Sequence, residues 1–135
     1  MSIGQKDFVT KKNHTQTGTD TVNLEWGDDN VQMFLGASGA KNVVLPVGNV
    51  ANSYGEVWIV NAQAAGDLTV TADTDGTNNI QNIVGDANVV ISKGETAHFF
   101  YVPYLRNVAK PLQDSTLGVS GEKRGMWIGG VMGIT

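Results

Sequence analysis

The sequence predicts an all-β fold, and three observations carry that prediction. The composition is rich in turn and strand formers: 17 Gly, 12 Asn and 12 Thr in 135 residues. Apolar and polar residues alternate over short runs, as at 21–26, where Val22, Leu24 and Trp26 fall on one side. Such runs recur at roughly 8–12-residue spacing between Gly, Asn and Asp clusters, with no sustained helical period. Together they describe a β-sandwich or barrel of about eight to ten short strands.

The bulk numbers bound the function. Charged residues are 16% of the chain, against about a quarter in an ordinary soluble domain. A small protein this poor in ionic surface is expected to hide part of that surface against something. The 41% apolar content argues against a disordered chain. The absence of Cys excludes a disulfide scaffold and a Cys-ligated metal site. A net charge of −4 disfavours nonspecific nucleic-acid binding. No basic start followed by an apolar run marks a secretory signal, and no apolar stretch is long enough to span a bilayer.

Residues 1–20 are polar, with Ile3, Phe8 and Val9 scattered through them. They are expected to form an extended arm that orders on a partner, ahead of a β-sandwich domain over 21–135. Within residues 1–14, Lys6, Lys11 and Lys12 stand against Asp7 alone, so that stretch is basic and the rest of the chain acidic. Residues 21–26 and 31–35 flank the turn cluster 27–30 and are expected to pair as a hairpin. Residues 42–45 form a short strand that stops at Pro46, which cannot donate to a ladder. The run 56–61 (EVWIVN) is apolar on both sides, as in a central strand covered on both faces. Residues 68–72 alternate, and 80–84 and 87–91 are two further short strands. Residues 95–102 (ETAHFFYV) are the longest strand, again apolar on both sides. The stretch 103–124 is a long loop carrying both arginines, a length that suggests a function or a partner. The uncharged end 125–135 is expected to be tied down in a sheet or an interface.

No catalytic signature emerges. The glycine turn at Gly36 and Gly39 before Lys41 lacks the spacing of a phosphate loop and leads into a strand. Asp73, Asp75 and Asn78 place oxygens around Gly76, but the order is not that of a calcium loop. A solvated turn is the default there, and a calcium site stays open. One histidine, His14, lies in the arm and the other, His98, in a strand, and these spacings assemble neither a metal site nor a nucleophile triad. The expectation is therefore no enzyme, no cofactor and no metal. The three Trp sit within strand-like apolar segments, which favours core or subunit interface over an exposed sugar platform.

The order of segments resembles a family of small β-modules of tailed-bacteriophage virions, found in head decoration (cement) proteins and in fibre or spike tips. The resemblance lies in a strand pair near 24–35 and an apolar strand ending in Leu45-Pro46. It continues through Gly55 before 56–61, the Gly-Asp-Leu-Thr-Val-Thr-Ala run at 66–72 and the Asn-Asn-Ile-Gln loop at 78–81. A Lys-Gly-Glu-Thr-Ala turn at 93–97 and a late Gly-x-Trp strand at 125–127 complete it. It implies an antiparallel, jelly-roll-like β-sandwich, assembled as a homotrimer on the outer capsid surface of a virion made in the host cytoplasm. The implied partners are copies of the chain and the major capsid protein, with no nucleic acid and no membrane. The long stretch 103–124 and the basic arm depart from the family layout. A sticky arm without a long shaft suits capsid decoration better than a tail fibre or spike tip binding host-surface glycan, which is the alternative.

The clamp expected on this reading uses Ile3, Lys6, Phe8, Val9, Lys11 and Lys12 as capsid contacts. Phe99, Tyr101, Trp127 and Ile128 are expected at the trimer interface. Each arm would bind weakly because ordering it costs entropy, and three arms on one trimer would bind together tightly.

Overall fold

A computed structural model describes residues 10–15, 18–36, 38–46, 55–72, 83, 88–102 and 126–132. Those residues are all-β, arranged as two sheets in a sandwich. In chain order the strands are β1 (Lys11–His14), β2 (Thr21–Asn23), β3 (Val31–Leu35), β4 (Lys41–Leu45) and β5 (Gly55–Ala62). They are followed by β6 (Leu68–Ala72), β7 (Val89–Ile91), β8 (Thr96–Val102) and β9 (Met126–Val131). One sheet has five strands in the order β1-β3-β5-β8-β9, and the other has four in the order β2-β4-β6-β7.

The first six strands alternate between the sheets, so the chain winds as three coils. Each strand lies parallel to the equivalent strand of the next coil: β1 on β3, β3 on β5, β2 on β4 and β4 on β6. Only then does the chain turn antiparallel, with β6 on β7, β5 on β8 and β8 on β9. This corrects two expectations. The antiparallel winding of a jelly roll does not describe β1–β6. The segments around 21–26 and 31–35 are not a hairpin, because β2 and β3 belong to different sheets. The physical reason is that the Gly27-to-Asn30 turn carries the chain across the sandwich. Asp28 folds it back locally, accepting from the Glu25 N–H through Oδ2 at 2.8 Å.

Alternation fixes what each strand buries. Val57 and Ile59 of β5, Val43 and Leu45 of β4, Leu68 and Val70 of β6 and Phe34 of β3 all point between the sheets and are fully buried. Side chains of this size each contribute about 1.5–3 kcal/mol when taken out of water. Trp127 stands at the centre of an aromatic cluster, stacked on Trp26 at 5.5 Å and edge-on to Tyr101 at 5.4 Å. Its indole Nε1 donates to the Pro46 carbonyl at 3.0 Å, which ties β9 of one sheet to the end of β4 in the other.

The coils share one corner. Gly18, Gly39 and Gly66 stack there with φ of 97°, 139° and 101°. The Gly18 N–H donates to the Ser38 carbonyl and the Gly39 N–H to the Ala65 carbonyl, both at 3.1 Å. A Cβ on Gly39 would overlap the Gly18 carbonyl oxygen, so glycine is required by contact as well as by φ. The inward glycine carbonyls each meet a buried polar side chain. Lys41 Nζ donates to Gly18 O at 2.7 Å, Gln63 Nε2 to Gly39 O at 3.1 Å and Asn61 Nδ2 to Gly66 O at 2.9 Å. Asn61 Nδ2 also reaches the Ile91 carbonyl at 2.9 Å, which joins the corner to β7. These three polar residues are buried because the corner leaves carbonyls that would otherwise have no donor.

Candidate functional site

The residues expected at a trimer interface do not share one surface. Phe99 and Trp127 are fully buried and Tyr101 is 3% exposed, all three inside the sandwich. Their strands pair so that Phe99 faces Gly129 and Tyr101 faces Trp127 across β8 and β9, on the inner face. Ile128 lies on the opposite face, half-buried, paired with Phe100. The aromatic run at 99–101 therefore splits by strand parity, two rings inward and Phe100 outward.

That outer face of the five-stranded sheet is the most distinctive surface among the described residues. Val31 and Met33 of β3, Trp58 and Val60 of β5, Phe100 of β8 and Ile128 of β9 all point out from it. Phe100 and, just past β9, Met132 are each 42% exposed. The sheet is mixed, parallel across β1, β3 and β5 and antiparallel from β5 to β9, and its outer face has no covering layer among the described residues. The Trp58 and His98 rings stack across strands at 3.8 Å, and His98 Nε2 lies 3.0 Å from Glu56 Oε2. The next residue in that row is Gly130, where an added Cβ would meet only open space. The far side of the His98 ring thus faces a notch over Gly130, between Ile128 and Met132. His98 covers one face of the Trp58 ring.

The expected capsid contacts fall in two places. Ile3, Lys6, Phe8 and Val9 lie outside the described residues. Lys11 and Lys12 do not trail from the body: they open β1, the edge strand paired in register with Val31 and Gln32. Both side chains are exposed. Beside them, between β1 and β2, is a cleft of about 200 Å³ lined in part by Lys12, His14, Leu24, Asp28 and Gln32. Its floor is fixed by local contacts. The His14 ring stacks on Phe34 at 4.3 Å, His14 Nε2 meets Gln32 Oε1 at 2.6 Å, and Gln32 Nε2 donates to the Asp29 carbonyl at 2.6 Å.

Among the described residues no group of three or more His, Asp or Glu could hold a metal ion. The acidic turn with Asp73 and Asp75, the strand expected at 80–84 apart from Ile83, and the loop 103–124 lie outside them. Ile83 itself is buried and bridges to Trp127. No helix among the described residues is long and apolar enough to cross a membrane.

Sequence reasoning missed the coil corner, although a signal was present. Gly18, Gly39 and Gly66 each stand three residues before Thr21, Asn42 and Thr69, and a Val follows each time: Val22, Val43 and Val70. Those residues are register partners in the four-stranded sheet. Comparison of the chain with protein-family models, curated proteins and solved structures finds no match.

Proposed function

We propose that this chain is a structural subunit of a virus particle, a capsid decoration protein that assembles with copies of itself. The observation that carries the reading is the apolar outer face of the five-stranded sheet, which has no cover among the described residues and leaves Phe100 and Met132 each 42% exposed. An exposed apolar face on a small soluble body marks an association surface. Copies pack through Phe100, Trp58, Val60 and Ile128, with the Gly130 notch receiving a side chain of the neighbour. The trimeric state and the capsid partner are supported by the resemblance of the segment order to phage decoration modules. The basic stretch from Lys6 to Lys12 suits an acidic capsid surface and supports a position on the outside of the head.

The test is mass in solution combined with co-sedimentation on decoration-free capsids. Removal of residues 1–9 together with Lys11→Glu and Lys12→Glu is expected to leave the oligomer intact and abolish capsid binding. Deleting as far as residue 14 would remove β1 as well and confuse loss of contact with loss of fold. Undiminished capsid binding by the altered chain would overturn the decoration reading. A monomer that binds a host glycan through Trp58, His98 and Glu56 would replace it with the fibre-tip reading.

A further inference from the structure

The coil stack has an open end. Among the described residues β1 is one edge strand of the five-stranded sheet and β2 one edge strand of the four-stranded sheet, so one edge of each sheet lies on the first coil. The hydrogen bonds fix which backbone groups of those edges have no strand partner among the described residues. The Thr10 carbonyl accepts from the Val31 N–H, so Thr10 faces β3. In an extended strand the N–H and C=O of one residue point the same way and those of the next point oppositely. Lys12 and His14 therefore also face β3, and Lys11 and Asn13 turn both backbone groups to the outer edge. The Asp20 carbonyl accepts from Asn42, and the Leu24 N–H donates to Val44. By the same alternation Thr21 and Asn23 face the outer edge of β2.

This edge has a charge character. Three of the four residues of β1 are Lys11, Lys12 and His14. Neither lysine has a carboxylate within ion-pairing distance among the described residues, where the ion pair found is the distant His98–Glu56 contact. Lysines on an edge strand deter pairing with neutral or basic strands, including the same strand of a second copy. They favour a strand that brings carboxylates.

We propose that the edge of β1 receives an extended, acidic segment of a partner protein, which adds as a sixth strand of that sheet. The added backbone pairs with Lys11 and Asn13, which gives affinity, and alternate side chains select the partner. Carboxylates on one face of the segment meet Lys11. Those on the other stand beside Lys12 at the mouth of the cleft, which Asp28 also lines and where His14 and Gln32 are held in place. The inference shares Lys11 and Lys12 with the decoration reading, and peptide binding at the edge tests it separately from capsid binding.

The test uses the full chain and two synthetic eight-residue peptides, one alternating Glu with Val and one alternating Lys with Val. The Glu peptide is expected to slow exchange of the Lys11 and Asn13 amide protons and leave Lys12 and His14 unchanged, and the Lys peptide to do neither. Asn13→Pro removes one outward N–H without touching the β3 ladder, and proline is tolerated on a sheet edge. It is expected to weaken Glu-peptide binding at least tenfold with the melting temperature kept. Lys11→Glu with Lys12→Glu, a second route should the proline variant not fold, is expected to reverse the peptide preference. Equal binding of both peptides, or undiminished binding by a folded Asn13→Pro variant, would overturn the proposal. It would also fall if the Lys11 and Asn13 amides are protected without peptide, whether by a second copy or by residues 1–9.

Discussion

The two sheets turn opposite kinds of surface outward. The five-stranded sheet shows Met33, Trp58, Val60, Phe100 and Ile128 with Glu56 and His98 among them, whereas the four-stranded sheet shows mostly Thr and Asn, in the rows Thr21-Asn42-Thr69-Val90 and Asn23-Val44-Thr71. Both sheets are built from the same three parallel coils and share one core, so the backbone does not distinguish them. The side chains that do not reach the core make the difference. The Thr and Asn rows satisfy themselves with water, and the apolar rows do not. On the proposed reading the polar face meets solvent and the apolar face meets a copy of the chain.

The deepest way to break the contrast is at the corner both faces share. Gly39→Ala places a methyl group on the Gly18 carbonyl and forces a side chain into φ 139°. The expected loss is about 3 kcal/mol or more, read as a lower urea midpoint or no folded protein at all. Asn61→Leu comes next. It strips the donor from the Gly66 and Ile91 carbonyls inside the sandwich. The expected cost is about 1–3 kcal/mol for each orphaned carbonyl, checked by equilibrium unfolding.

Other substitutions sharpen the contrast without unfolding the chain. Gly130→Leu fills the notch beside His98, where a side chain meets open space and no strained φ. Monomer stability is expected to stay within about 0.5 kcal/mol, as for surface substitutions in general. Self-association is expected to weaken at least tenfold, measured by sedimentation equilibrium. Glu56→Gln removes the exposed partner of His98. Its effect is expected to be the smallest, below about 1 kcal/mol, because an exposed pair of this kind is well solvated.

Much of the strand content was legible in the sequence, because the period of two that marks a half-buried strand is local. β4, β5, β6 and β8 fall where the runs at 42–45, 56–61, 68–72 and 95–102 place them. Which strands pair was not legible. Parallel and antiparallel strands carry the same alternation, and the turn at Gly27–Asn30 looks the same whether it closes a hairpin or crosses to the other sheet. The coil repeat was masked by unequal spacing. Val31 answers Lys11 across one coil, but the next coil is longer before Trp58 answers Val31.

The candidate interface was half legible for a related reason. The richness of 99–101 in aromatic rings is plain in the sequence, but a shift of one residue exchanges inside for outside. The parity that buries Phe99 and Tyr101 and exposes Phe100 is set by pairing with Val57 and Gly55 of β5, remote in sequence. Lys11 and Lys12 were singled out as basic contacts, and their place on a sheet edge follows from a partner strand twenty residues on.

The central claim is that the chain associates through the apolar outer face and not through the polar one. Val90 on the four-stranded sheet is 46% exposed and Phe100 on the five-stranded sheet 42%, so the two are matched for exposure. Sedimentation velocity of the unaltered chain, Val90→Asp and Phe100→Asp compares the faces directly. The account predicts that the first two sediment as the same assembly and that Phe100→Asp sediments as a folded monomer. An unaltered chain that is already monomeric, or a Phe100→Asp variant that assembles as before, would contradict it.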